Sequence, residues 1–188
     1  MGVGTTRTPD LYAGVIVPMR YGNDDTSYVR AGLYLSGPGL VEDWGCGTTY
    51  AHRFIGAPYR GLDGCMSRFA DEQIDLSTYR SKVPKILMRH VLEHNWDWRD
   101  ILENMLSSFT DCAVLILFLP PGEKDENVSG PDLGPNAVWP GLRLCQDDLT
   151  KIMAAHSDIH VWAEDMTTDT PPFNYERIYF LEKAQVWP

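Results

Sequence analysis

Hydrophobic and polar positions along this chain follow two periods, one helical and one of short extended runs. Trp98, Ile101, Leu102, Met105, Leu106 and Phe109 recur at helical spacing, with Asn95 or Asp97 placed to cap. Asp100, Glu103 and Asn104 fall on the face of that helix expected to meet water. Residues 112–119 form a continuous apolar run between Asp111 and Pro120-Pro121-Gly122, the pattern of a central parallel strand covered on both faces. Shorter runs predict strands at 39–43, 59–62, 70–76, 84–89, 160–164 and 176–182. Helices are expected at 27–35, with Thr26 or Ser27 opening it and Gly37 ending it, at 48–54 before Gly56 and Pro58, and at 147–156. Strands alternating with helices predict an α/β fold with a doubly wound, parallel sheet. Residues 120–144 are rich in Pro and Gly without periodicity, and a loop of that length is expected to face a substrate.

Composition narrows the picture modestly. A length of 188 residues and an apolar content of 44% suit one compact domain, preceded by an arm over residues 1–38 that carries Tyr12, Tyr21, Tyr28 and Tyr34. The domain proper is expected over 39–188. A net charge of -10, with no Lys/Arg run, opposes binding to nucleic acid or anionic lipid. Cys46, Cys65, Cys112 and Cys145 are scattered without zinc spacing, so they read as reduced thiols and no metal site is expected. Residues 1–10 lack the succession of a signal peptide, and the run 112–121 is too short to span a bilayer. A cytoplasmic protein without membrane contact is the expectation; oligomeric state is not written in these patterns.

The chemistry concentrates in Val41-Glu42-Asp43-Trp44-Gly45-Cys46-Gly47-Thr48-Thr49, where an acid stands two residues before a Gly-x-Gly turn. Twenty residues after Asp43, a second acid, Asp63, closes the run Tyr59-Arg60-Gly61-Leu62. Strand, glycine turn, helix and a second strand ending in an acid make a Rossmann-type nucleotide pocket. A dinucleotide fold needs a third small residue for close helix packing, and counting from Gly45 that position is Tyr50. Asp43 would also set negative charge beside a pyrophosphate. A nicotinamide-dependent oxidoreductase is therefore disfavoured, and a ligand with a cationic amino-acid moiety and a ribose fits better.

The segment resembles motif I of the class I S-adenosylmethionine-dependent methyltransferases, D/E-x-G-x-G-x-G, with Thr49 in place of the last glycine. Met88-Arg89-His90-Val91-Leu92-Glu93-His94-Asn95 is similar to that family's segment after the fourth strand. With Asp63 and the pair Asp75-Leu76, the resemblance covers about residues 39–118 in the family's order. It implies a Rossmann-like seven-stranded, mostly parallel sheet with an antiparallel C-terminal hairpin turning at 169–172.

It implies S-adenosylmethionine as cofactor, with Asp43, Trp44, Gly45 and Gly47 at the methionine half and Asp63, followed by Gly64, at the ribose hydroxyls. Asp75 and Leu76 would lie by the adenine, and Arg89 and His90 near the sulfonium. His90 and His94 are the candidate catalytic bases, since a histidine titrates near neutral pH. His94 could equally orient the next helix, Asp43 and Asp63 could be ordinary strand-end acids, and His52, His156 and His160 read as surface or packing residues. The expected acceptor is a small molecule, glycan or lipid-linked group, on which Trp44, Trp96, Trp139 and the tyrosines of the arm are candidates to stack, core packing being the alternative role for most of them. A cofactor-binding subunit without activity of its own remains the alternative. The motif after strand four does not read N/D-P-P-Y, and residues 119–121 supply no metal ligand, so DNA amino-methylation and metal-dependent catechol chemistry are disfavoured.

Overall fold

The computed structural model describes residues 15, 17–18, 25–65, 67–128, 140–169 and 174–184. In chain order these form α1 (Thr26–Leu35), β1 (Val41–Trp44), β2 (Tyr59–Asp63), β3 (Glu72–Gln73), β4 (Val83–Arg89), α2 (Trp98–Ser108), β5 (Phe109–Leu117), β6 (Glu126–Asn127), β7 (Leu142–Arg143), α3 (Gln146–Ala155), β8 (Ile159–Thr167) and β9 (Tyr175–Lys183). Short 3-10 turns lie at Tyr50–Phe54 and Leu92–His94. Seven strands join in the order β3-β2-β1-β4-β5-β9-β8. The first five are parallel, and β9 runs antiparallel to both β5 and β8. The α/β sheet and its antiparallel C-terminal pair match the expectation; the turn expected at 169–172 lies, beyond Asp169, outside the described residues.

The central strands are apolar because both faces of the sheet are covered. On one face Trp98, Ile101, Leu102, Met105 and Leu106 of α2 and Leu149 and Met153 of α3 pack against Leu62, Ile86, Met88, Ala113 and Leu115. On the other, Tyr28, Ala31 and Leu35 of α1 cover Leu87, Val114, Ile116, Ile178 and Phe180. Alternate residues of β4 and β5 thus serve opposite cores, as the two-residue period of a strand requires. Of the expected arm over 1–38, α1 is the described helix. Its C-terminus is capped from the sheet: the buried Lys85 ammonium donates to the carbonyls of Leu35, 3.0 Å, and Ser36, 2.8 Å. A cation at that position also complements the helix dipole.

Several expected elements are shorter than the sequence pattern suggested. Residues 48–54 form a single 3-10 turn, Tyr50–Phe54, where a helix was expected. The strand expected at 70–76 pairs only through Glu72 and Gln73, and Asp75 begins a turn. Phe109 opens β5 although its spacing placed it on the helical stripe. Asn104 is buried, against the expectation that it meets water. The physical reason lies in the connection from β3 to β4, which has no helix and leaves carbonyls without partners. Asn104 Nδ2 donates to Leu76 O at 3.1 Å and Ser77 O at 2.8 Å, and its Oδ1 accepts from Arg80 Nε at 2.9 Å. Within 120–144, the described ends pair as β6 and β7. Asp125 anchors them by accepting from Trp98 Nε1 and the Cys145 amide.

The turn after β1 carries an unusual conformation. Gly45, Gly47 and Thr49 all have positive φ, 78°, 55° and 58°. A β-carbon on Gly45 would stand 2.3 Å from Val91 Cγ2, so glycine is required there for space as well as for φ. Thr49, where the resembled motif has its last glycine, adopts a left-handed conformation, at a cost of about 1 kcal/mol or more.

Two substitutions separate these effects. Gly45→Ala is expected to destabilise the protein by about 2–3 kcal/mol through the clash and the strained φ. Thr49→Gly is expected to stabilise it by about 0.5–1 kcal/mol by relieving strain. Urea unfolding checks both, and a Gly45→Ala variant as stable as the parent contradicts the close approach to Val91.

Candidate cofactor and catalytic site

The C-terminal ends of β1, β2 and β4 are adjacent and in register, Asp43 opposite Gly61 and Leu87. Their following turns therefore share one edge of the sheet, where open α/β folds place ligands. The glycine turn closes inward on β2. Gly45 N and Cys46 N donate to Leu62 O at 2.8 and 3.0 Å, and Thr49 N donates to Cys46 O at 2.7 Å. Gly47 N donates to Asp63 Oδ2 at 2.8 Å, while Cys65 N takes the other carboxylate oxygen at 2.8 Å. An anion held at such a turn needs those amides and the positive end of a helix. Here the amides are taken, and only a five-residue 3-10 turn follows.

Two carboxyl groups are buried at this turn. Asp43 accepts a hydrogen bond from the Tyr59 hydroxyl at 2.5 Å, and the Tyr59 ring stacks on His52. Burial, partly offset by that hydrogen bond, pushes the Asp43 carboxyl up to about 7. Asp63 is also raised by burial, against the pull of its two amide donors. Neighbouring Glu42 is fully buried but well served, accepting from Trp44 Nε1, Arg60 Nη1 and Tyr79 OH. Tyr59 carried no distinguishing signal in the sequence, because its role depends on register with β1.

The other expected cofactor residues are distributed less evenly. Trp44 has its indole in the core, packed edge-on against Tyr79, so only its backbone lies at the turn. Gly64 follows Asp63 directly, with room for a β-carbon. Asp75 is exposed and holds its own turn by accepting from the Ser77 amide and hydroxyl. Leu76 is buried in the core beneath. Arg89 is engaged structurally: its guanidinium lies over the Tyr28 ring, donates to Tyr28 OH at 2.9 Å and Ser27 Oγ at 3.2 Å, and pairs with Glu176 at 2.6 Å. It latches α1 to the sheet. Glu176, which the sequence did not single out, is held down to about 2, its own burial outweighed by His90 and Arg89.

The two histidines differ. His90 has positive φ, 56°, and its Nε2 sits 2.7 Å from Glu176 Oε1 without the alignment of a hydrogen bond. Burial, with the Arg89 charge, lowers it to about 4, so it is neutral near pH 7. His94 Nδ1 lies 3.0 Å from the carbonyl of Pro140. A carbonyl only accepts, so Nδ1 carries the proton and the neutral ring presents an Nε2 lone pair. Burial lowers His94 as well, keeping it neutral. Phe118 is the shared wall, stacked on His94 and edge-on to His90. Glu93, fully buried, accepts from the Phe118 amide at 2.5 Å, and burial pushes its carboxyl up to about 8.

Among the described residues no group of three or more His, Cys, Asp or Glu could hold a metal ion, and no helix is long and apolar enough to cross a membrane.

These buried acids give stability a defined pH dependence. Asp43 and Glu93 have folded pKa values above their unfolded ones, so their contribution is lost as pH rises toward about 7 and about 8. His90 and His94 are lowered, so theirs is lost as pH falls below the ordinary histidine range. The opposed terms compensate in weakly acidic solution, and above about pH 6.5 the acids alone remain. The ligand-free protein is expected to lose about 1–3 kcal/mol between about pH 6.5 and 8. Glu93→Gln removes the upper part of that loss; urea unfolding across this range, flat in the parent, would contradict the burial of both charges.

No protein-family model and no curated protein matches the sequence. Solved structures do match the fold. The 1,6-didemethyltoxoflavin-N1-methyltransferase of Burkholderia thailandensis, with bound 1,6-didemethyltoxoflavin and S-adenosylhomocysteine, superposes with a TM-score of 0.63 at 11% identity, over 85% of this chain and 77% of that one. The [4+2]-cyclase SpnF gives 0.59 at 13% identity, over 92% and 88%. The magnesium protoporphyrin IX methyltransferase of Synechocystis, with bound S-adenosylhomocysteine, gives 0.54 at 16% identity, over 84% and 79%. Sheet order, antiparallel β9 and these superpositions together give the chain the fold of the class I S-adenosylmethionine-dependent methyltransferases.

Proposed function

We propose that this protein binds S-adenosylmethionine at the ends of β1, β2 and β4 and transfers its methyl group to a small-molecule acceptor. The observation that carries this reading is the inward-closed glycine turn with two buried acids beside it. Such a turn offers a pyrophosphate neither amides nor a helix dipole. It offers negative charge to a cationic amino-acid moiety and carboxylate lone pairs to a ribose. Asp63 oxygens each hold one amide, the Cys65 side chain is a third donor, and the carboxylate retains acceptor capacity for a hydroxyl. Gly45 and Gly47 let the backbone approach the methionine half, and Gly64 keeps the wall beside Asp63 low. Asp75 and Leu76 support the adenine end through the fold of their turn. Two similar folds are described with bound S-adenosylhomocysteine, which adds support for this cofactor.

Methyl transfer is an in-line displacement at a carbon already activated by the sulfonium, so alignment is the protein's main contribution. For an oxygen or nitrogen acceptor that must lose a proton, His94 is the better base: its tautomer is set by Pro140 and it is neutral. His90 shapes the wall and packs against Phe118. The aromatic and acidic surroundings favour a neutral planar or sugar-like acceptor, for O- or N-methylation, over a nucleic acid. A cytoplasmic setting accords with this chemistry and with reduced thiols.

S-adenosylhomocysteine is expected to raise the melting temperature and NADH to leave it unchanged; the reverse pattern overturns the cofactor assignment. Asp63→Asn should weaken binding by about 10–100-fold through loss of charge-assisted hydrogen bonds. With labelled S-adenosylmethionine screened over phenols, amines and sugars, His94→Ala should lower turnover by about 10²–10⁴-fold while leaving cofactor affinity unchanged. Full turnover in that variant removes His94 as base. Cofactor binding with no transfer to any acceptor class identifies a non-catalytic binding protein.

A further inference from the structure

We propose that Asp43 selects for a cationic group on the ligand at the glycine turn: that group enters by replacing a proton on the buried carboxyl group. The inference rests on the reading of this edge as the cofactor site and goes beyond it, because it specifies a proton exchanged on binding.

Asp43 lies inside β1 with β2 and β4 hydrogen-bonded on either side. It is 3% exposed, and among the described residues it takes part in no ion pair. From β2 it faces Tyr59, whose hydroxyl donates to Oδ2, and Asp63, whose negative charge opposes its ionisation. Cys46, from the turn, is a buried thiol held well above its usual range, so it brings no charge. Arg89, from β4, is the cation in the neighbourhood, and its guanidinium is already paired with Glu176. A second buried negative charge beside Asp63 without a dedicated cation favours the neutral carboxyl, in keeping with its raised pKa.

An ammonium or sulfonium placed at the turn changes that balance. In a low-dielectric site the attraction between opposite charges is several-fold stronger than in water. The carboxyl O–H bond breaks, its electron pair stays on Asp43, the proton passes to solvent, and the cation takes over the charge. A ligand without a cationic group supplies no such compensation and leaves the proton in place. The turn therefore favours the nucleoside that carries an ammonium over one that carries none, and increasingly so as pH rises toward neutrality.

Calorimetric titration in two buffers of different ionisation enthalpy counts the proton directly. The probes are S-adenosylmethionine, S-adenosylhomocysteine and the neutral 5′-methylthioadenosine, at about pH 6, 7 and 8. S-adenosylmethionine and S-adenosylhomocysteine, which both carry the ammonium, should release close to one proton at the lowest pH and almost none at the highest. Their dissociation constants should fall by up to about tenfold per pH unit in the lower range. Methylthioadenosine should release none and show no pH dependence. Asp43→Asn should abolish the released proton, and Tyr59→Phe, which removes the donor favouring the carboxylate, should move the release to higher pH; circular dichroism verifies that both variants fold. Ammonium-bearing ligands that bind without releasing a proton at the lowest pH overturn the proposal while leaving the site intact. Failure of all three probes to bind at any pH overturns the site reading on which it rests.

Discussion

The edge of the sheet is organised by one constraint, the closure of the turn after β1 onto the last residues of β2. Four amides of the turn are satisfied internally by Leu62, Asp63 and Cys46, which fixes the turn without any ligand. Left-handed conformations at Gly45, Gly47 and Thr49 make this closure possible. Because Asp63 is held by Gly47 and Cys65, the two acids of the edge are brought together by the same hydrogen bonds that shape the turn. Structure and charge are thus inseparable here: altering the turn alters the electrostatics of the pocket wall.

The domain reaches this edge with few helices. A 3-10 turn stands where a helix would follow β1, and neither the β2–β3 nor the β3–β4 connection contains a described helix. Backbone groups that a helix would satisfy internally then need side chains. Asn104 serves the β3–β4 connection, Lys85 the end of α1, and Asp125 the segment between β5 and α3. These polar residues are buried because the backbone around them is irregular.

Charge at the opposite side of the edge is neutralised more completely. Arg89 and Glu176 pair in the interior and carry Ser27 and Tyr28 of α1 with them. Phe118, held by Glu93, keeps both histidines against one aromatic wall. The edge thus contrasts an ion-paired Arg89 on one side with a buried Asp43 carboxyl on the other that has no ion-pair partner among the described residues. Fold alone does not assign chemistry, and the superposition on a [4+2]-cyclase illustrates it. The functional reading rests on the turn and its acids.

The apolar run of β5, the stripe of α2 and the spacing from Asp43 through Asp63 to Arg89 were legible in the sequence because each is local periodicity or short-range order. They determined the α/β class, the strand succession and the position of the glycine turn. Asn104, Phe109 and Trp44 were misplaced or only partly readable because burial depends on what an absent helix leaves uncovered and on where one element gives way to the next. Tyr59 and Glu176 were invisible for a related reason: each meets its partner only through strand register, Tyr59 across β1 and Glu176 on β9, far from Arg89 in the chain. The sequence placed the acids and glycines beside one another, and only tertiary structure decided that the amides point inward. Hydrogen-bond direction is set by neighbouring strands, not by the residues that carry the motif.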